Sequence, residues 1–209
     1  MAKTMLITVG TGRERKDIAG AISLAIQRES PNRVIFLASP LSKEETLPLI
    51  EPEVLQNREC FVEENQQTDD VEVLYLSYVT IIQRLIEEGC NAEDIVIDYT
   101  SGTKAMSAAI FAAGIATEVG SINYIAGKRD STGRVIPGHE RPMPIKPLAL
   151  FAENKIKQAQ ELFNIYQFQA ARALLLPLKK NLGDSSINRR ISFLRSFGFL
   201  VSKKRLLYR

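Results

Sequence analysis

The residues best suited to chemistry form one run, Asp98-Tyr99-Thr100-Ser101-Gly102-Thr103-Lys104-Ala105-Met106, which follows the apolar stretch Asp94-Ile95-Val96-Ile97 and opens an alanine-rich segment. A strand that ends in hydroxyl residues, a glycine and a lysine ahead of a helix offers an anion free backbone N–H groups, the positive end of a helix dipole and a cation. Helix capping alone accounts for one of those hydroxyls and for the easy turn at Gly102. It does not call for several hydroxyls together with Lys104 in the first helical turn, where a cation opposes the dipole. The run has phosphate-loop ingredients without the full GxxxxGK[ST] spacing, and it reads as an anion cradle.

A second loop of small residues, Gly10-Thr11-Gly12, follows the apolar run Lys3–Val9. The third glycine of a GxGxxG fingerprint is replaced by Arg15, and no acid ends a strand about 20 residues on, so a nicotinamide site is not indicated. Other chemistries lack their residues. His139 is the only histidine, and Cys60 and Cys90 stand 30 positions apart without a CxxC, which disfavours zinc, disulfide, Ser-His-Asp and Cys-His arrangements. Arg134 and His139 match the R-x4-H spacing of helical metal-independent ribonucleases, but Pro137 and Gly138 between them oppose a helix, so His139 reads as a loop residue and Arg134 as a neighbour of the pocket rim. Asp98 is the one carboxylate placed to orient Thr100 or Lys104; Glu93 and Asp94 read as solvated or capping groups. No cofactor and no metal is expected.

The elements that must hold these loops alternate. Strands are predicted at Lys3–Val9, Arg33–Ala38, near Glu59–Val62, at Asp94–Asp98 and Ser121–Ala126, and helices at Glu14–Gln27, about Asp69–Glu88 and Thr103–Val119. Leu41–Glu53 is rich in Pro and Glu and reads as a broken segment. Residues 128–133 read as a hairpin turn into a short strand Arg134–Ile136. The expected class is α/β: a Rossmann-like, doubly wound, mainly parallel sheet with a C-terminal β-hairpin, followed by a small helical segment. In such a sheet the first and fourth strands are neighbours, so the loops Gly10–Gly12 and Thr100–Lys104 meet over one crevice at the switch point. The helix after the cradle is apolar nearly all round, which predicts deep burial. Residues 142–147 (PMPIKP) read as a rigid connector between a domain at 1–147 and a helical appendage at 148–209. In the appendage, the helices Leu148–Tyr166 and Phe168–Leu182 show apolar faces at Ala159, Leu162, Phe163 and Tyr166, and at Ala170, Ala173, Leu174 and Leu178.

The 209 residues carry a formal charge of +3, yet residues 179–209 hold nine Lys/Arg against the single acid Asp184, a net +8 that leaves −5 for residues 1–178. A polyanion site in the body must therefore be a local pocket, not a broad positive field. The basic tail, with Arg189, Arg190, Arg195, Lys203, Lys204 and Arg205, resembles the last helix and wing of a winged-helix module; any nucleic-acid contact is expected only there. No apolar run reaches the length of a membrane span and no leader is recognisable, so no membrane partner and a cytoplasmic location are expected.

Four blocks together resemble the CARF domain of type III CRISPR accessory proteins: LITVGTGRE, IFLASP, DYTSGTKAMSAA and YIAGKRDSTGRVIPGHER, spanning about residues 3–147. The helical residues that follow resemble the start of the region after this domain in one subfamily, without a complete effector nuclease domain. The resemblance implies a homodimer that binds a cyclic oligoadenylate across its two-fold axis. By motif match Gly10, Thr11, Gly12, Ser39, Thr100, Ser101, Gly102, Thr103 and Lys104 line the site. Some members of the family cleave the ring through in-line attack by a ribose 2′-hydroxyl; Lys104 and Thr11 are the candidate catalytic residues for such a metal-independent ring nuclease. The alternative is a CRISPR-linked transcription regulator that binds DNA through the basic tail.

Overall fold

The computed structural model describes residues 2–12, 14–129 and 135–181. The chain divides into two compact units, Met1–Pro147 and Leu148–Arg209. The first unit is built on one six-stranded sheet in the order β3-β2-β1-β4-β5-β6. Its strands are β1 (Thr4–Val9), β2 (Arg33–Ala38), β3 (Glu59–Glu64), β4 (Ile95–Asp98), β5 (Ser121–Arg129) and β6 (Val135–Ile145). The first five are parallel and β6 returns antiparallel to β5. β1 and β4 pair directly, Thr4 beside Ile95 and Ile7 beside Asp98, so the strand order reverses between them as expected.

The two faces of the sheet carry separate cores because alternate residues of a strand point to opposite sides. Met5, Ile7 and Val9 of β1 pack with Val34 and Phe36 under helix α1 (Arg15–Glu29), through Ala19, Ile22 and Ile26. Leu6, with Ile35, Leu37, Ile95 and Ile97, faces α4 (Val71–Glu87) and α5 (Lys104–Ala116). Asp70 caps α4, its carboxylate accepting from the N–H groups of Glu72 and Val73 at 3.0 and 3.1 Å.

Several local expectations are corrected. The segment read as broken holds two short helices, α2 (Pro40–Glu45) and α3 (Pro52–Leu55), with a 3-10 turn at Leu47–Leu49 between them. Each of the three has Pro at its first or second position, where a missing N–H costs no helical bond. α5 is not buried all round. Met106, Ala109, Ile110 and Ala113 are buried, while Lys104, Ala108, Ala112 and Ala116 form an exposed stripe, because small apolar side chains tolerate either environment.

Residues 142–145 belong to β6 and are no connector. Pro142 and Pro144 stand opposite Ile125 and Asn123 on an edge strand, two residues apart, so both nitrogens point to the open side where no ladder bond is lost. His139 accordingly lies within β6, not in a loop, and it is exposed. Arg134 and the turn residues 130–133 fall outside the described residues.

The second unit is a helix pair, α6 (Pro147–Asn164) and α7 (Phe168–Asn181), whose core comprises Ala152, Ile156 and Ala159 against Ala171, Leu175 and Leu178. The buried face of α7 is displaced from the expected one: Ala170 and Ala173 are exposed, and Tyr166 is 65% exposed in the left-handed turn between the helices, at φ 63°. The basic tail from residue 182 onward lies outside the described residues. No helix among the described residues is long and apolar enough to cross a membrane.

Candidate functional site

The loops after β1 and β4 touch. A methyl group added to Gly10 would stand 2.1 Å from the carbonyl oxygen of Ser101, and one added to Gly102 would stand 2.8 Å from both Cβ and Oγ1 of Thr8 on β1. Both glycines therefore serve loop-to-loop packing at the switch point, a use their sequence context does not separate from close approach of a ligand. Gly10 is buried, Thr11 half-buried and Gly12 exposed, with Gly12 in the left-handed region at φ 40°. The buried Thr46 hydroxyl donates to the Gly10 carbonyl at 2.9 Å and fixes this loop to the segment after β2. Thr46 lies in the segment without periodicity, and no motif in the sequence marks it.

Asp98, 2% exposed, anchors the second loop: its carboxylate accepts from the N–H of Thr100 at 2.9 Å. Burial raises the Asp98 carboxyl above its ordinary value, while the hydrogen bonds from the Thr100 hydroxyl and N–H pull it back down. The Thr100 hydroxyl also accepts from the N–H of Ile125 on β5 at 3.0 Å. Of the two roles expected for Asp98, orienting Thr100 is the one observed.

Thr103 is the N-cap of α5, accepting from the Met106 N–H at 3.1 Å while donating to the Thr68 carbonyl at 2.9 Å. Ser39 caps α2, its hydroxyl accepting from the Ser42 N–H at 3.0 Å, and Ser42 returns the bond to the Ser39 N–H at 2.8 Å. The hydroxyls of Thr100, Thr103 and Ser39 thus have structural partners. Ser101 is half-buried, and Lys104 is exposed at the first position of α5, making no hydrogen bond or ion pair among the described residues. The first turn of a helix leaves its N–H groups without intrahelical acceptors. Thr103 takes the one of Met106, and those of Lys104 and Ala105 are left without an intrahelical acceptor in the same turn that carries the Lys104 side chain. The product is a compact donor set suited to one anionic oxygen cluster. Among the described residues no group of three or more His, Cys, Asp or Glu is placed to hold a metal ion.

Fold and crevice together define a Rossmann-like α/β protein whose switch point is lined by small and hydroxyl residues. The sequence matches no family model and no curated protein sequence. Among solved structures, Enterococcus italicus Csm6 bound to cyclic hexa-2′-fluoro-hexa-dAMP superposes with a TM-score of 0.71 at 14% identity, over 98% of this chain and 55% of that one. The chain thus has the fold of that part of Csm6 and spans about half its length. Two more distant matches are Can2 from Sulfobacillus thermosulfidooxidans in complex with cyclic tetra-adenylate (TM-score 0.43, 16% identity, 77% of this chain and 46% of that one) and a type III CRISPR defence DNA nuclease activated by cyclic oligoadenylate (TM-score 0.44, 15% identity, 95% and 33%).

Proposed function

We propose that the chain is a sensor of type III CRISPR immunity that binds a cyclic oligoadenylate at a homodimer interface through a CARF-type domain. The observation that supports the reading is the contact of the two loops at the switch point, Gly10 against Ser101 and Gly102 against Thr8, with Lys104 exposed at the first position of α5 directly after them. The likeness in fold to a Csm6 structure holding a cyclic hexa-nucleotide supports it. A two-fold axis would pair two such donor sets, and a ring of phosphates carries charge of matching symmetry. The helical second unit and the basic tail would then belong to an output region.

Slow metal-independent cleavage of the ring belongs to the same reading. Lys104 would stabilise charge developing on the attacked phosphate, and Thr11 would help to position the ring. Attack by the 2′-hydroxyl forms its bond to phosphorus as the bond to the 5′-oxygen breaks, leaving a 2′,3′-cyclic phosphate and a 5′-hydroxyl.

Calorimetry with cyclic tetra- and hexa-adenylate tests binding, and chromatography of the recovered nucleotide tests cleavage. Saturable binding of one ring per two chains, weakened at least tenfold in Lys104→Ala, is expected. Failure of both rings to bind refutes the reading.

A further inference from the structure

β5 outgrows the sheet. It pairs with β4 only over Ser121–Asn123, and beyond the end of β4 the six residues Tyr124–Arg129 have β6 as their strand partner, with Ile125 still buried in the core under α1. They form one side of a two-stranded arm containing about 20 Å of strand, rising at the carboxyl end of the sheet, where the cradle lies. A free two-stranded ribbon is marginal in water, but this one is tied down at its foot. The Ile125 N–H donates to the Thr100 hydroxyl at 3.0 Å, and the Tyr99 N–H donates to the Asn123 carbonyl at 3.2 Å. The Tyr99 ring stacks on Tyr124 with centroids 5.4 Å apart and meets Phe111 of α5 edge-on at 5.7 Å. Thr100 is thereby a joint shared by cradle and arm.

The arm also carries cations in the open. Arg141 stands opposite Ala126 and Met143 opposite Tyr124, so the period of two puts Arg141 on the face that holds Tyr124 and α5. Lys128, His139 and Arg141 are all exposed, and among the described residues neither Lys128 nor Arg141 forms an ion pair. The far edge of the sheet behaves oppositely. Each glutamate of β3 is matched: Glu59 with Arg33 at 3.0 Å, Glu64 with Lys43 at 2.9 Å and Glu63 with Arg84. In a body whose formal charge is −5 over residues 1–178, exposed cations at the cradle (Lys104) and on the arm rooted in it, with no ion pair among the described residues, lie at one end of the sheet.

We infer that the β5–β6 arm is a second phosphate-contact element of this site, with Arg141 and Lys128 engaging phosphodiester oxygens that the α5 N-terminus and Lys104 do not reach. The inference rests on the cyclic oligoadenylate reading and extends it. One helix end and one lysine address roughly one phosphate per subunit, and a ring with four or six phosphates has others to satisfy. The planar fork of Arg141 suits two oxygens of one phosphate; Lys128 acts as a point charge.

The test is calorimetry of the whole chain with cyclic tetra- and hexa-adenylate at about 50 and about 300 mM salt, comparing wild type, Arg141→Gln, Lys128→Gln, the double variant and Lys146→Gln. Lys146 is an exposed cation just beyond the other end of β6 and controls for charge alone. Each arm variant is expected to weaken binding about tenfold and to flatten its salt dependence, with Lys146→Gln unchanged. A double variant within about twofold of wild type at both salt concentrations, with an equal salt slope, overturns the inference. If the double variant also melts early, Arg141→Lys decides, because it keeps the charge and loses only the fork: a salt slope equal to that of wild type, steeper than that of Arg141→Gln, supports the arm contact, and a slope as flat as that of Arg141→Gln refutes it. Failure of wild type to bind either ring removes the parent reading as well; loss of binding in Lys104→Ala with full binding in the arm variants removes the arm alone.

Discussion

Gly10→Ala would place a methyl carbon 2.1 Å from the Ser101 carbonyl oxygen and 3.3 Å from its carbonyl carbon. A carbon and a carbonyl oxygen rest about 3.3 Å apart, so the two loops must separate by about 1.2 Å to admit it. Neither side yields easily. The Gly10 carbonyl is held by Thr46 at 2.9 Å, and Ser101 sits between Thr100, bound to Asp98 and Ile125, and Thr103, bound to Thr68. Overpacking costs about 1–3 kcal/mol, and loss of one buried hydrogen bond adds about 1 kcal/mol. The expected destabilisation is therefore about 3 kcal/mol, read as a lower urea midpoint by circular dichroism. Gly102→Ala provides a graded comparison. Its methyl meets the Thr8 side chain at 2.8 Å and Met106 Cβ at 3.1 Å, and the nearest atoms belong to side chains, so about 1–2 kcal/mol is expected. A Gly10→Ala protein within about 0.5 kcal/mol of wild type would refute the packing argument and return Gly10 to the role of a residue kept small for ligand alone.

Thr46→Val removes the only side-chain hydrogen bond seen on the Gly10 carbonyl among the described residues and leaves that buried group unsatisfied; a loss of about 1–3 kcal/mol in urea unfolding is expected, with Thr46→Ser close to wild type. Asp98 gives a pH signature. Its folded carboxyl lies above the ordinary 3.8, so between that value and the raised one the folded state holds more protons than the unfolded, and the Asp98 contribution to stability declines as pH rises. Asp98→Asn, which keeps an acceptor for the Thr100 N–H, is expected to gain stability relative to wild type as pH increases from about 4 toward neutrality; a difference that does not vary with pH counts against it.

The sheet was legible because its signals are local. Arg33–Ala38 is a strand over the predicted bounds, and the alternation of apolar runs with amphipathic stretches leads to the observed parallel order. Where local signals conflict, the reading failed. Two prolines in Leu41–Glu53, Pro48 and Pro52, suggested irregularity, yet Pro at the start of a helix is compatible with it. Prolines 142 and 144 suggested a connector, yet an edge strand has one side on which a missing N–H is harmless. The second outcome depends on a strand partner, β5, that no local signal in the prolines records.

The cradle divides in the same manner. Residue types and spacing alone determined that Gly10–Gly12 and Thr100–Lys104 close two strands, and strand order then predicted that these loops meet. Only tertiary structure decided the use of each group. Thr100 and Thr103 turn to Ile125 and Thr68, Gly10 and Gly102 admit the opposing loop, and Thr46 arrives from a segment with no motif. A hydroxyl or a missing Cβ has the same identity whether it faces a ligand or another loop. Its partner is set by which atoms the fold brings within about 3 Å, and no pattern along the chain records that distance.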